Sequence, residues 1–184
     1  MTLDVPLAFA LAETYSRNWL VAYSGGKDST TVLDLTYRYA TERGIRLAVV
    51  HSEELLKAPP LYRWVYRHVL NKLVESGVEV YVIVPKEDFI TTIFERRYSP
   101  PGPVFQWCTA RMKERPTLRL VKMLEGRWVR FTGVRLGESA HRTHLIRQRC
   151  GTTDSCGVSI QFKREDVLDL APIVDWTAEE VVDY

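Results

Sequence analysis

Trp19–Tyr23 (WLVAY) runs directly into Ser24-Gly25-Gly26-Lys27-Asp28-Ser29. The apolar pentapeptide predicts a buried strand. Beyond the glycines, Val32, Leu33, Leu35, Thr36, Tyr39 and Ala40 fall close to a 3.6-residue stripe. That spacing predicts a helix over 29–43, ended by Gly44 as glycines commonly end helices. A glycine-rich turn between a strand and a helix is where backbone N–H groups and the helix macrodipole combine to hold an anion. Gly25 and Gly26 let the backbone approach phosphate oxygens without a Cβ in the way. Ser24, Ser29 and Thr30 offer hydroxyls and Lys27 a positive charge. Asp28 offers a carboxylate that braces the loop or holds a magnesium ion. A plain turn with a Ser or Asp cap would explain a lone Gly-Gly pair, but not the whole hexapeptide in this context. The spacing is neither GxxxxGK[ST] nor GxGxxG.

The same alternation continues outward. Before the loop, an apolar N-terminal stretch carrying Asp4 and Glu13 predicts a leading amphipathic helix. After it come a strand at 45–50, a helix at 60–76 stopped by Gly77, a strand at 78–84 and a helix at 86–97. Residues 98–106 (YSPPGPVFQ) hold three prolines and a glycine and predict a loop. A helix over 109–124 follows, with Pro116 as a kink or restart, then a strand at 128–132. Residues 135–163 read as irregular, 167–173 as a fifth strand, and Thr177 as the cap of a last helix. Such alternation predicts an α/β fold: a doubly wound, three-layer arrangement of about five parallel strands with helices on both faces. Ligands in such sheets bind beyond the carboxyl ends of the strands. The expected organisation is one nucleotide-binding domain over 1–184, its last helix cut short at Tyr184.

Composition narrows the classes. Hydrophobic residues make up 46% and charged residues 26% of the 184-residue chain, ordinary values for a globular protein. No apolar run approaches the roughly 20 residues of a membrane span, and the N-terminus lacks the basic region of a signal peptide. A cytoplasmic location without a membrane partner is the expectation. The net charge of +2 does not point to a general nucleic-acid binder. The charge is uneven, however: Arg127, Arg130, Arg135, Arg142, Arg147 and Arg149 stand against Glu138 alone, a local balance of +5. This is either a solvated face or an anion site.

The hexapeptide resembles the PP-loop, S-G-G-x-D-[ST], of the N-type ATP pyrophosphatases, and every position matches. Three further blocks resemble those of phosphoadenylyl-sulfate (PAPS) reductase-like proteins within that superfamily. They are Trp107-Cys108-Thr109 with Lys113 and Pro116; Gly133-Val134-Arg135 with Glu138, Ser139 and Arg142; and Pro172-Ile173-Val174-Asp175-Trp176 with Val182 and Tyr184. The resemblance spans residues 24–184 and implies an adenine nucleotide alpha hydrolase-like fold. It implies a nucleotide site made of Ser24, Gly25, Gly26, Lys27, Asp28, Ser29, Ser52, Lys113, Gly133, Arg135 and Glu138. Lys27, Asp28, Arg135 and Arg142 would serve catalysis. Physically, Gly133 allows close backbone approach after the fourth strand, and the arginines present planar forks to phosphate or sulfate. One block departs from the family. Where an Asp-Thr pair is usual after the second strand, this chain has His51-Ser52-Glu53-Glu54. Ser52 stands for the threonine, and Glu53 or Glu54 is left to act as a metal or ribose ligand.

Cys108, Cys150 and Cys156 are the only cysteines, an odd number that argues against a disulfide framework. A glycine follows each of the last two. Cys108 precedes a helix, where the dipole favours thiolate. Three thiolates suit a [4Fe–4S] cluster with one open iron; zinc completed by His141 or His144, a redox pair, or inert thiols are the alternatives. The sequence also resembles the PP-loop member of the Dnd-type DNA phosphorothioation systems, which uses cysteine-ligated iron–sulfur. The leading functional expectation is cleavage of ATP, with Mg2+, to AMP and pyrophosphate. That step would activate an acceptor in sulfur transfer, with a sulfur donor protein and a nucleic-acid acceptor as candidate partners. A PAPS or adenylyl-sulfate reductase is the alternative. Its family members carry a degraded loop and a C-terminal cysteine, and no cysteine follows Cys156 here. An adenylyltransferase and a non-catalytic nucleotide-binding subunit are further readings.

Overall fold

The structure is a computed structural model that describes residues 5–53, 59–102, 107–138, 143–144 and 167–184. Five strands, β1 (Asn18–Tyr23), β2 (Arg46–Ser52), β3 (Glu79–Ile83), β4 (Trp128–Thr132) and β5 (Val167–Leu170), form one parallel sheet in the order β3-β2-β1-β4-β5. Helices α1 (Val5–Tyr15) and α2 (Lys27–Arg43) flank β1 in the chain. The expected α/β fold is therefore present. The chain groups into two compact units, residues 1–49 with 126–184, and residues 50–125.

In the first unit, β1 lies between the parallel neighbours that place its carboxyl end beside that of β4: Trp19 pairs with Val129 and Ala22 with Thr132. β4 in turn pairs with β5, Trp128 with Val167 and Phe131 with Leu170. Trp19, Leu20, Val21, Val129 and Phe131 are fully buried, the near-continuous apolar pattern expected of strands covered on both faces. An aromatic cluster forms the core. Phe9 of α1 packs on Trp19, Tyr39 and Phe131 with ring centroids 4.9–5.5 Å apart, and Trp19 stacks on Tyr39. Helix α2 ends at Gly44, whose φ of 62° is the left-handed conformation a C-terminal cap requires.

β5 is shorter than the expected 167–173. Pro172 has no N–H to donate to a ladder, and residues 172–175 turn instead. This turn matters because Val174 and Ala171 pack against Val134 and Leu136, and Leu136 N donates to Val174 O at 2.7 Å. The segment after β4 is thereby fixed by the segment after β5. Thr177 then caps α7 (Ala178–Asp183) in a full capping box with Glu180.

In the second unit, α3 (Pro59–Val65) continues through a π-helical stretch, Tyr66–Leu70, into α4 (Asn71–Glu75). The helix expected over 86–97 is restricted to α5 (Phe89–Phe94), because Asp88 takes the N-cap and accepts from Thr91 N at 2.7 Å. A second π-helical stretch, Thr109–Glu114, runs into α6 (Arg115–Met123) with Pro116 in its first turn. Trp107 is buried against Phe89 and Tyr98 and donates from its indole N–H to Ser99 O at 2.9 Å. The tryptophan of the Trp-Cys-Thr block is therefore a packing anchor.

Candidate active site: the glycine loop and its arginine

The loop between β1 and α2 is held by its own hydroxyls. Ser29 Oγ donates to Gly26 O at 2.9 Å, lies 3.0 Å from Ser24 Oγ, and accepts from Ser24 N at 3.2 Å. Thr30 Oγ1 also donates to Gly26 O at 2.9 Å. Gly25 has φ 83°, a conformation open to glycine and costly for other residues. Gly26 occupies the N-cap of α2, and no side chain caps that helix. The first turn of this 17-residue helix thus has no capping side chain at its N-cap, where N–H groups lack intrahelical partners. The positive end of its macrodipole lies at the same place.

Asp28 is the electrostatic centre of the loop. Its Oδ1 accepts from Arg135 Nε at 2.5 Å and from Lys27 Nζ at 2.9 Å. Burial pushes its carboxyl upward, but the hydrogen bonds and charges of Arg135 and Lys27 outweigh this and hold it below the usual carboxylate range. Arg135 is buried, 6% exposed, and its Nη1 donates to Trp176 O at 3.2 Å. Its orientation therefore depends on the turn after β5 as well as on Asp28. Asp28 thus braces the loop by pairing with two cations. Among the described residues no three His, Cys, Asp or Glu side chains converge to hold a metal ion.

Gly133 sits against this loop more tightly than a side chain would permit. A Cβ there would lie 2.7 Å from both Asp28 C and Ser29 N and 2.9 Å from Asp28 O. The close approach that the sequence suggests at Gly133 is made to the backbone of the loop itself. The residues brought together in the first unit are then Ser24, Gly25, Gly26, Lys27, Asp28, Ser29, Gly133 and Arg135. Glu138 lies three residues beyond Arg135 and is half-buried. Arg142, Cys150 and Cys156 lie outside the described residues, as do Ser139, His141 and Glu54. Of the arginine run, Arg130 is tied to Asp169 by two hydrogen bonds of 2.6 and 2.7 Å. Arg127 lies over the Tyr15 ring. These two serve packing and strand pairing, and Arg135 is the described arginine that reaches the loop.

Ser52, Cys108 and Lys113 belong to the second unit. Ser52 ends β2, half-buried, and Lys113 lies half-buried in the π-helical stretch. Cys108 is half-buried and not in a disulfide. Glu53 is buried, and Tyr66 Oη donates to its Oε2 at 3.4 Å, with His51 Nε2 3.9 Å away. The Glu53 carboxylate is thus grouped with buried His51 and half-buried Tyr66. Sequence reading missed Trp176 O as a partner of Arg135, which only the fold brings within reach.

The phosphoadenosine phosphosulfate reductase domain family matches residues 18–184. Among curated proteins none matches the sequence. Solved structures share the fold at low identity. One is the phosphoadenylyl-sulfate reductase of Candida auris in a phosphate complex, with TM-score 0.61, 15% identity, and coverage of 99% of this chain and 78% of that one. Another is the U34-tRNA thiolase NcsA of Methanococcus maripaludis with its [4Fe–4S] cluster. It has TM-score 0.62 and 14% identity, over 95% of this chain and 60% of the thiolase.

Proposed function

The chain belongs to the phosphoadenosine phosphosulfate reductase domain family, and from that premise we propose that it is a PP-loop enzyme that binds ATP and transfers its adenylyl group to an acceptor in sulfur transfer. The carrying observation is the uncapped start of α2 behind Gly25 and Gly26, with Arg135 bound to Asp28 beside it. The N–H groups of that first turn, Lys27 and the helix dipole would receive the β- and γ-phosphates. An acceptor oxygen would attack the α-phosphorus, forming one P–O bond as the bond to the β-phosphate oxygen breaks. Pyrophosphate then leaves with the electron pair, still held by the loop. Lys27 and Arg135 offset the negative charge developing on the α-phosphate oxygens. A sulfur nucleophile would next displace AMP from the activated acceptor. Magnesium, where bound, would neutralise phosphate charge. An iron–sulfur cluster on Cys108, Cys150 and Cys156 remains part of the proposal; Cys108 alone of these is a described residue.

Two observations favour a second reading, a PAPS or adenylyl-sulfate reductase: the name of the matching family and the reductase among the fold neighbours. There the same loop would hold a nucleotide's phosphate or sulfate without cleaving ATP. The readings separate in one experiment. Protein incubated with α-labelled ATP and magnesium, with candidate acceptors, forms labelled AMP or an adenylylated product together with pyrophosphate under the first reading. Sulfite released from PAPS in the presence of a thiol reductant, with no pyrophosphate from ATP, establishes the second.

A further inference from the structure

A cleft of about 140 Å³ in the second unit is lined by Pro85, Lys86, Glu87, Arg111, Arg115 and Pro116, with Arg119 completing it. Four cations face one carboxylate. That carboxylate is already committed: Glu87 accepts from Arg96 at 2.6 Å and from Arg111 at 3.4 Å. One carboxylate, shared between Arg96 and Arg111, therefore cancels only part of the charge of the wall. Arg111 is fixed by three contacts, since its Nη1 donates to Tyr98 Oη at 2.8 Å and its guanidinium lies 5.1 Å from the Tyr98 ring centre. Arg115 and Arg119 are exposed, and no carboxylate pairs with either among the described residues.

The helix arranges these side chains. Arg111, Arg115 and Arg119 recur every fourth residue, which puts them on one face of the helix that runs from Thr109 to Met123. They span about 12 Å along the axis. The π-helical stretch carries Arg111, and such stretches are frequent at functional sites. Guanidinium forks match tetrahedral oxyanions in pairs of N–H donors. The cleft is smaller than the roughly 300–1,000 Å³ of a pocket that encloses a whole drug-sized ligand, and it suits a single charged group.

We infer that this cleft is a second anion site, built from Lys86, Arg111, Arg115 and Arg119, that takes a phosphate group. The group is carried either by a free polyphosphate or by the backbone of a nucleic-acid strand. Every residue lining it belongs to the second unit, and none is part of the glycine loop. The test titrates the full chain with inorganic pyrophosphate by calorimetry and with a labelled single-stranded oligonucleotide by anisotropy. It compares wild type, Arg115→Gln/Arg119→Gln, and Lys86→Gln. Asp28→Ala marks the component that belongs to the loop. The double variant is expected to lose about tenfold in affinity per arginine for whichever probe the cleft takes. Loss of pyrophosphate binding identifies a free polyphosphate. Loss confined to the oligonucleotide identifies a strand, with the slope of log affinity against log salt shallower by about 0.7 per arginine. Lys86→Gln, in the loop after β3, should weaken the same probe and guards against a misfolded helix variant. Unchanged affinity for both probes in both variants overturns the inference, as does wild-type protein in which the only binding is the component removed by Asp28→Ala.

Discussion

Gly133→Ala tests how the loop is held. The backbone at Gly133 is not in the left-handed region, so alanine meets no conformational penalty there and the cost is purely steric. Its Cβ would lie 2.7 Å from two backbone atoms and 2.9 Å from a third, all in the peptide joining Asp28 to Ser29. Ordinary contact begins at 3.4 Å, so the overlap is about 0.7 Å, deep in the repulsive wall of a carbon contact. No flexible side chain can yield; either β4 or the first turn of α2 must move. Overpacking of this kind costs about 1–3 kcal/mol. In a chain of this size each kcal/mol lowers the thermal midpoint by about 2–4 °C. The displaced peptide carries Ser29 N, one of the donors facing the proposed phosphate site, so ATP affinity should fall with stability. Gly102→Ala, with no atom of the described residues within 4 Å and no positive φ, is the matched control and should stay within about 0.5 kcal/mol of wild type. Thermal or urea unfolding and a nucleotide titration read both effects. A Gly133→Ala protein as stable and as tightly binding as Gly102→Ala would refute the argument.

Three further outcomes are expected. Arg135→Lys replaces a fork that spans Asp28 and Trp176 O with a point charge, so ATP affinity should fall by about tenfold or more while unfolding changes less; equal affinity would remove Arg135 from the site. The Asp28 carboxyl is depressed in the folded state, so its contribution is fully present above about pH 4 and is lost as pH falls through the lower folded value. Acid unfolding of Asp28→Asn should therefore be shallower than that of wild type, and parallel curves would contradict the pairing. Thr177→Ala removes the capping box of α7 and should cost about 1 kcal/mol in urea unfolding; a neutral result would mean the helix end contributes nothing to the fold.

Much of this architecture is legible in the sequence because it rests on local rules. Trp19–Tyr23 before two glycines, Gly44 after a 3.6-residue stripe and Thr177 three residues before Glu180 each state an element boundary in a few residues. The loop was legible for the same reason. What escaped depends on residues distant in the chain. Asp28 and Arg135 each stand out in the sequence, but their pairing across 107 positions needs β1 and β4 to be neighbours, and Trp176 O needs the turn after β5. The tight fit of Gly133 on the loop has the same origin. The π-helical stretches follow no apolar periodicity and read as ordinary helix. The basic cleft joins Lys86 to a helix face some 25 residues later, a grouping invisible in the run from Arg127 to Arg149 that drew attention by its composition.

Whether the loop at Ser24–Ser29 holds ATP is decided by thermal stabilisation of the chain against ATP with magnesium, AMP, adenylyl sulfate and PAPS, since a ligand of the folded state raises the midpoint by mass action. The largest shift is expected with ATP and magnesium, and it should be lost in Asp28→Ala. A larger shift with PAPS or adenylyl sulfate, or an ATP shift that survives Asp28→Ala, would contradict this expectation.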